Sequence, residues 1–331
     1  MSVPLQPKLT IVMYHYVRPL ARTRFPKIKG LDLALFDEQL AYLQKHYSLI
    51  SMEELIEAIE GAGRLPPRPA LLTFDDGYTD HFEHVFPRLA ERGLQGSFFP
   101  VACAALDRRI LDANKIQFTL ASDIDPDRFV AFIEDACRER AGEFGLHDIP
   151  HYREHHWVGN FLDPANVNYV KLMLQHALPM KLRAELVDQL FRRYVASDEA
   201  SFADELYATA DQLRTMRNGG MHIGSHGDLH LWFGTIPGPE QDADIDRSLR
   251  LLDAVGMAPC YRTMCYPYGS YDAHTIDAVA ARGFKLALTT EVALADQIAA
   301  RRFALPRLDT NHLPKDSLAS PNEWTLAAGG R

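Results

Sequence analysis

Short apolar segments alternate with amphipathic segments in the first hundred residues and again after residue 220. The apolar segments predict buried strands at 8–15, 47–50, 70–74, 97–101, 221–225, 263–266 and 284–289. The segments 35–46, 51–59 and 79–92 instead place their apolar residues at helical spacing, and Ser51 with Glu54 forms a capping box. Because strands that alternate with helices favour a parallel sheet, we predict an α/β protein. About seven such units suggest a barrel, complete or incomplete.

The alternation stops between residues 107 and 210, where the pattern is almost entirely helical. The segments 170–178 and 181–195 are examples, with apolar residues three and four apart. We therefore predict a single catalytic domain, 1–331, that carries a helical insertion at 107–210. The insertion is expected to shape the substrate cleft or to form a homodimer contact.

Composition excludes several classes of protein. The 331 residues are 47% hydrophobic and 24% charged, which is typical of a globular protein. A net charge of −9 disfavours a nucleic-acid partner. No apolar run reaches the length of a transmembrane helix. The apolar stretch 9–14 is too short for a signal-peptide core, so a cytoplasmic location is expected.

Two adjacent carboxylates, Asp75 and Asp76, follow the strand 70–74 and precede Gly77. Neighbouring side chains of a strand point to opposite sides, so two functional aspartates in a row need a turn that brings both to one pocket. Gly77 permits such a turn. One carboxylate would then bind a cation while the other acts as a base. Alternatively, an Asp here caps the next helix, which accounts well for one of the two.

Two histidines, His226 and His230, follow the strand 221–225. At this spacing they would share a face of a helical turn and suit zinc or a similar divalent ion, with a carboxylate from elsewhere as third ligand. The alternative is chance, since the chain has 14 histidines.

Two further features stand at predicted strand ends, the turn 265–271 (CYPYGSY) and His15. Each alone is explained by turn formation or packing. However, all four features fall at the carboxyl ends of predicted parallel strands, where barrels assemble their active sites. Their joint placement therefore favours an active site.

These motifs resemble the polysaccharide deacetylase family, the NodB-homology carbohydrate esterases. The family motif TFDDG is intact at 73–77, and HGDLH at 226–230 keeps both histidines, with Gly227 where the family has Ser or Thr. The family's R-x-P-x-G is similar to the segment 265–269, in which Cys265 replaces the arginine. The opening MYHYV resembles a subgroup with a Tyr-His pair, found among deacetylases of surface polysaccharides. The resemblance implies a distorted or incomplete (β/α)7–8 barrel.

The resemblance also implies a set of roles. The metal ligands would be Asp76, His226 and His230, and the metal would be zinc, or else nickel or cobalt. Asp75 would be the general base, and His15 would supply the acid, as in the Tyr-His subgroup.

The remaining implied roles concern the third motif. Its turn, formed by Tyr266, Pro267, Tyr268 and Gly269, would contact substrate and support the oxyanion through a backbone N–H. Because Cys265 stands in place of the family arginine, Arg307 or Arg262 would orient Asp75 instead.

The expected activity is metal-dependent N-deacetylation of an acetamido sugar. Given the expected location, the sugar would be a nucleotide- or lipid-linked precursor of a surface glycan such as lipopolysaccharide O-antigen. Two alternatives remain open. One is a sugar deformylase or imide hydrolase on the same scaffold, and the other is a non-catalytic glycan-binding protein.

Overall fold

The computed structural model describes residues 7–160 and 163–329, which divide into two compact units. The first unit comprises 7–19, 30–109 and 203–329. The second comprises 20–29, 110–160 and 163–202, so it takes in most of the segment 107–210 and a short segment far from it in sequence. The assignment of 1–331 to one catalytic domain with an insertion at 107–210 stays a prediction.

The strands are short, and most are two to five residues long. They are β1 (Thr10–Tyr14), β2 (Val17–Arg18), β3 (Leu31–Asp32), β4 (Ser48–Leu49), β5 (Pro69–Asp76), β6 (Ser97–Pro100), β7 (His222–Ile223), β8 (Thr263–Cys265), β9 (Leu286–Leu288) and β10 (Leu308–Asp309).

Fourteen α-helices lie in the described residues. They are α1 (Leu33–His46), α2 (Met52–Ile59), α3 (Phe86–Glu91), α4 (Ala102–Asp107), α5 (Asp112–Leu120), α6 (Pro126–Phe144), α7 (Ile149–His156), α8 (Ala165–Leu172), α9 (Met180–Tyr194), α10 (Glu199–Leu206), α11 (Ala210–Asn218), α12 (Gly238–Val255), α13 (Ala273–Ala281) and α14 (Glu323–Ala328). A π-helical turn, His81–Val85, leads directly into α3.

Within the described residues, seven parallel strands form a ring in the first unit. β10, β1, β5, β6 and β7 are neighbours in that order, and β8 pairs with β9. Two parallel bridges close the ring, one between Ser225 and Met264 and one between Leu288 and Leu305. β4 adds to the start of β5, and β2 pairs with β3 separately. The predicted distorted α/β barrel is therefore confirmed.

The sequence pattern places most of these elements correctly. α2 begins after Ser51, whose hydroxyl accepts from the amide of Glu54 while the Glu54 carboxylate accepts from the amide of Ser51. The predicted helix 79–92 begins at residue 79 as expected, continues through the π-helical turn into α3, and ends at Glu91. β10 has no counterpart in the prediction, because this two-residue strand lies in a segment where charged residues and Pro306 interrupt the apolar pattern.

The centre of the barrel wall is aromatic. Phe74 on β5 is fully buried and stacks on Tyr14 of β1, with ring centroids 4.9 Å apart, and on Phe98 of β6, at 4.8 Å. Phe36 of α1 meets the edge of the Tyr14 ring. Large rings at adjacent register positions thus pack three strands and a helix together.

The second unit has its own apolar core, which α5, α6, α8 and α9 contribute to. Phe129, Ile133, Tyr169 and Leu182 are all buried in it. Among the described residues, no helix combines the length and the apolar character that a membrane crossing requires.

Replacing Phe74 with alanine is expected to lower the free energy of unfolding by about 3–5 kcal/mol, because the cavity would lie between two rings that cannot collapse onto it. Urea denaturation followed by far-UV circular dichroism would measure the loss. Leu326→Ala on α14, where the leucine is 62% exposed, should change stability by less than about 0.5 kcal/mol. Equal effects of the two substitutions would contradict this view of the core.

Candidate active site

Polar side chains gather at the carboxyl ends of the barrel strands. His15 follows β1, Asp75 and Asp76 end β5, and His226 follows β7, whereas Arg307 lies in the segment just before β10 and reaches Asp75 from there. Because the strands are parallel, these ends lie at one rim of the barrel. The structure therefore brings together residues that stand more than two hundred positions apart in sequence.

The carboxylate of Asp75 is held by Arg307, and both side chains are buried. Nη1 of Arg307 donates to Oδ1 of Asp75 at 2.9 Å, and Nη2 donates to Oδ2 at 2.7 Å. Burial alone would raise the pKa of Asp75, but the charges of Arg307, His226 and His15 and the bonds from Arg307 hold that pKa well below its usual range. Asp75 is thus an ionised carboxylate inside the protein.

The second predicted partner of Asp75, Arg262, makes a different contact. Its Nη2 donates to Oδ1 of Asp253 at 2.7 Å, next to an exposed part of α12. The alternative in which Arg262 orients Asp75 is therefore wrong. Arg307 binds Asp75 instead, although it stands 45 residues after Arg262 in the sequence.

Asp76 presents its carboxylate to the same rim because its own backbone is left-handed, with φ of 69°. This conformation breaks the alternation of side chains along β5. The hydroxyl of Tyr78 donates a short hydrogen bond to Oδ2. Oδ1 is buried and has no hydrogen-bond partner among the described residues. An acceptor left in this condition indicates a missing ligand.

Both histidine rings face that oxygen. Nε2 of His226 lies 3.6 Å from Oδ1 of Asp76, and Nε2 of His230 lies 3.5 Å from it. Nδ1 of His226 donates to the carbonyl of Cys265 at 2.7 Å, so Nε2 of this ring carries a lone pair when the ring is neutral. Burial lowers the pKa of His230 to about 4, so its ring is neutral near pH 7.

The predicted helical turn that would align the two histidines is wrong. The described residues 226–230 form a loop without helical structure, and the rings meet with centroids 4.9 Å apart. Left-handed backbone at Gly227, with φ of 76°, and at His230, with φ of 56°, bends the chain so that both rings point inward. The two histidines, four residues apart, are thus brought together by bends in a loop.

Asp76, His226 and His230 fit a divalent metal ion. One ligand atom from each lies within 4.8 Å of the others. Ligand atoms 2.0–2.2 Å from a tetrahedral ion lie about 3.3–3.6 Å apart, which agrees with the separations of 3.5 and 3.6 Å. The donor set of two imidazoles and one carboxylate suits zinc and similar ions.

A second group, Asp75, His226 and Cys265, is equally compact but fits an ion less well. Both oxygens of Asp75 already accept from Arg307. Burial raises the pKa of Cys265 well above its usual value, so the sulfur remains a thiol and points toward Oδ2 of Asp75 at 3.5 Å. The thiolate that a metal needs is therefore disfavoured here.

His15 stands beside this centre. Its Nε2 lies 3.9 Å from Oδ2 of Asp75, and its side chain is 38% exposed. Its carbonyl oxygen accepts from Nε2 of the buried His81 at 2.8 Å, which fixes the backbone after β1. His15 can therefore be reached from solvent on one side and faces Asp75 on the other.

The predicted turn 266–269 forms a single 3₁₀ turn after β8. Pro267 has no N–H, the amide of Tyr266 donates to Leu288, and the amide of Gly269 donates to the Tyr266 carbonyl. Neither of these two amides is free to serve as an oxyanion donor and Pro267 has none to offer, which leaves the amide of Tyr268 among the four predicted residues. The Tyr266 side chain is fully buried and bonds the carbonyl of Phe303, so its ring does not line a substrate surface.

Tyr268 instead belongs to an aromatic pair at the rim. Its ring stacks on Trp232 with centroids 4.2 Å apart and planes 9° apart. The same ring meets the edge of His230 at 4.5 Å. An aromatic surface thus lies against one of the two histidines.

Two residues of this region were absent from the sequence prediction. Tyr78 binds the carboxylate of Asp76, and its position directly after TFDDG was an available signal. Asp244 of α12 binds the backbone of the histidine loop. No signal marks Asp244, since it is one of many acidic residues on an amphipathic helix.

Replacing Arg307 with alanine is expected to lower the free energy of unfolding by about 3–5 kcal/mol, because it leaves a buried carboxylate without a partner. Arg262→Ala removes a pair with a largely exposed aspartate and should cost about 0–1 kcal/mol. Urea denaturation of both variants would measure the difference. A loss from Arg262→Ala as large as that from Arg307→Ala would contradict the assignment.

The chain is similar to known proteins. The family model "Polysaccharide deacetylase" matches residues 190–287, a range that includes the histidine loop and the turn 266–269. YxkH of Bacillus subtilis strain 168, which carries the provisional name of a polysaccharide deacetylase, is 27% identical over 95 residues. The match covers 28% of this chain and 32% of YxkH, so the chain spans about a third of the length of this relative.

Several solved structures share the fold. The deacetylase PplD of Streptococcus pyogenes, solved with acetate, aligns over 93% of this chain and 94% of its own, with a TM-score of 0.56 and 16% identity. IcaB of Ammonifex degensii aligns over 98% and 97%, with a TM-score of 0.53 and 18% identity. The deacetylase domain of BpsB from Bordetella bronchiseptica aligns over 93% and 97%, with a TM-score of 0.54 and 16% identity. These structures show the shared fold, and the family model over residues 190–287 together with the similarity to YxkH confirms the resemblance to the polysaccharide deacetylase family.

Proposed function

We propose that this protein is a metal-dependent hydrolase that removes the acetyl group from an acetamido sugar. The observation that carries the proposal is the short distance from Oδ1 of Asp76 to Nε2 of His226 and to Nε2 of His230, beside an ionised Asp75. The match to the polysaccharide deacetylase model and the fold shared with deacetylases support it.

Asp76, His226 and His230 would hold the ion, through one carboxylate oxygen and two imidazole nitrogens. When bound, a divalent ion supplies Lewis acidity, which acidifies water and polarises a carbonyl. Zinc is the ion that this donor set favours, and nickel or cobalt would fit the same ligands.

Asp75 acts as the general base in this proposal. Water adds through its oxygen to the acetamide carbon, and Asp75 accepts one of the water protons. Arg307 keeps the carboxylate ionised and fixes its plane through two hydrogen bonds. The family's arginine is absent from position 265, and Arg307 would take over its function.

His15 is proposed as the general acid. When the carbon–nitrogen bond breaks, the nitrogen leaves as an amine and needs a proton, which a protonated His15 would donate. The products are acetate and the amino sugar, and the second proton of the water remains with the acetic acid until it ionises. Because His15 Nε2 and Asp75 Oδ2 are 3.9 Å apart, the proton taken by Asp75 can return to His15 between turnovers.

Two aromatic side chains at the rim of the barrel support a sugar as the substrate. The stacked pair of Trp232 and Tyr268 next to His230 offers an apolar surface to the C–H face of a sugar ring. Our finer proposal is that the sugar is a nucleotide- or lipid-linked precursor of a surface glycan such as O-antigen, deacetylated in the cytoplasm. Assays of nucleotide-linked, lipid-linked and polymeric acetamido sugars in parallel would rank these substrates by kcat/KM.

We expect the purified protein to hold about one divalent ion per chain and the His226→Ala variant to hold almost none, because a third of the ligand set is lost. Elemental analysis would measure the ion, and acetate release should fall with it. His274→Ala serves as the control, because it removes an exposed histidine that pairs with Asp242 and not with a residue of the metal group. Wild-type protein that binds no ion after reconstitution with zinc would refute the proposal, and release of formate instead of acetate would favour the deformylase alternative.

If His15 is the general acid, the His15→Asn substitution should slow the cleavage of an amide much more than the cleavage of an activated ester. Cleavage of an acetamido sugar should slow by about 10²- to 10⁴-fold, because the amine then departs without a proton donor. Hydrolysis of p-nitrophenyl acetate should slow far less, since its leaving group departs as an anion. Asp75→Asn should impair both reactions, because both need an activated water. An equal loss of the two activities in His15→Asn would exclude its role as acid.

A further inference from the structure

The loop that carries the two histidines lacks hydrogen bonds of regular structure. The described residues 226–230 belong to neither a helix nor a strand, and Gly227 and His230 have left-handed backbone. A loop of this kind keeps one conformation only when other parts of the protein bind its polar groups. The position of both imidazoles therefore depends on what contacts this backbone.

Asp244 of α12 makes that contact. Its Oδ1 accepts from the amide of Asp228 at 2.8 Å, and its Oδ2 accepts from the amide of Leu229 at 2.9 Å. The Asp244 side chain is fully buried. The two amides it binds are those between the two histidines, so one carboxylate fixes the middle of the loop.

Neighbouring residues on the same face of α12 extend this contact. Ser248, one helical turn after Asp244, accepts a hydrogen bond from Ser225 at the start of the loop. Arg247 and Arg250 both bind the buried carboxylate of Asp228, at 2.8 and 2.9 Å. α12 thus binds two amides and the acidic side chain of the loop, while the amides of Ala102 and Cys103 in α4 donate to the carbonyls of Gly227 and Asp228 at 3.0 and 3.1 Å.

Gly227 and Asp244 are sterically matched. A Cβ atom added at residue 227 would lie 2.8 Å from Oδ1 of Asp244, closer than such atoms approach in real structures. The motif resembled by this loop has Ser or Thr at this position, whereas this chain has glycine. Only glycine leaves the space that the carboxylate occupies while it bonds the next two amides.

We propose that Asp244 is a positioning residue that holds His226 and His230 in the geometry needed to bind a metal ion together. The inference rests on the proposed function for the metal, but the positioning of the loop can be measured without any metal. Asp244 does not touch the reacting atoms and acts only through the backbone at Asp228 and Leu229.

The test compares Asp244→Asn with Asp246→Asn. Asparagine has the same size but offers one acceptor, and its NH₂ group would face the second backbone amide. Asp246 lies on the same helix, is 58% exposed and pairs with Arg282, so it is a matched control. Zinc affinity would be measured by competition with a chelator, and the absorption spectrum of the cobalt form would report ligand geometry.

We expect Asp244→Asn to weaken zinc binding by about 10- to 100-fold and to alter the cobalt spectrum, as loss of groups that orient ligands does elsewhere. Asp246→Asn should match the wild type in both. In metal-free protein, hydrogen exchange of the 224–232 segment should be at least about tenfold faster in Asp244→Asn than in the wild type. The substitution weakens the hydrogen bonds of two backbone amides in this segment.

The outcomes separate the two proposals. Unchanged loop exchange in Asp244→Asn overturns the positioning role, as does faster exchange with unchanged zinc affinity. A wild type that binds no zinc refutes the proposed metal function, and the exchange result then decides the role of Asp244 in the loop alone. If Asp244→Asn does not fold, Gly227→Ala perturbs the same contact while retaining the carboxylate, and it should speed loop exchange in the same way.

Discussion

A carboxylate taken out of water is stable only when a cation and hydrogen-bond donors meet it. Asp75 meets this condition through Arg307, which also donates to the carbonyl of Thr289 and to the hydroxyl of Thr73. These contacts join the ends of β5 and β9 to the segment before β10. The strand ends around Asp75 therefore cannot separate without leaving a charge unpaired in the barrel, and the position of Asp75 depends on this single side chain.

Much of the barrel, and most residues of the candidate site, could be proposed from the sequence because they depend on local patterns. The strand 70–74 and the carboxylates after it mark one rim position, and the histidines after 221–225 mark another. Parallel strands bring such positions together without further information. The capping box at Ser51 and the helix from 33 to 46 likewise follow from residues within a few positions of each other.

The parts that were missed depend on contacts between distant segments. Arg307 could not be separated from Arg262 by sequence, because the choice depends on the path of the chain into β10, a strand of two residues. The helical turn expected at 226–230 is absent, and the amides of Asp228 and Leu229 donate to Asp244 of the distant helix α12. Left-handed backbone at Asp76 and His230 could not be predicted locally either, since Asp and His adopt it more often than most residue types but only at a minority of positions.

The two nitrogens of His226 have different neighbours, and this restricts the residue more than either neighbour alone. Nδ1 donates to the carbonyl of Cys265, the last residue of β8. This bond lies beside the parallel bridge between Ser225 and Met264, which joins the segment after β7 to β8. Nε2 faces Asp76. A carboxylate or thiolate at position 226 would retain a lone pair for an ion but would place an acceptor against that carbonyl. His226 therefore has two roles, because Nδ1 helps to join β7 to β8 and Nε2 faces the candidate metal site. A substitution at this position must satisfy both contacts at once.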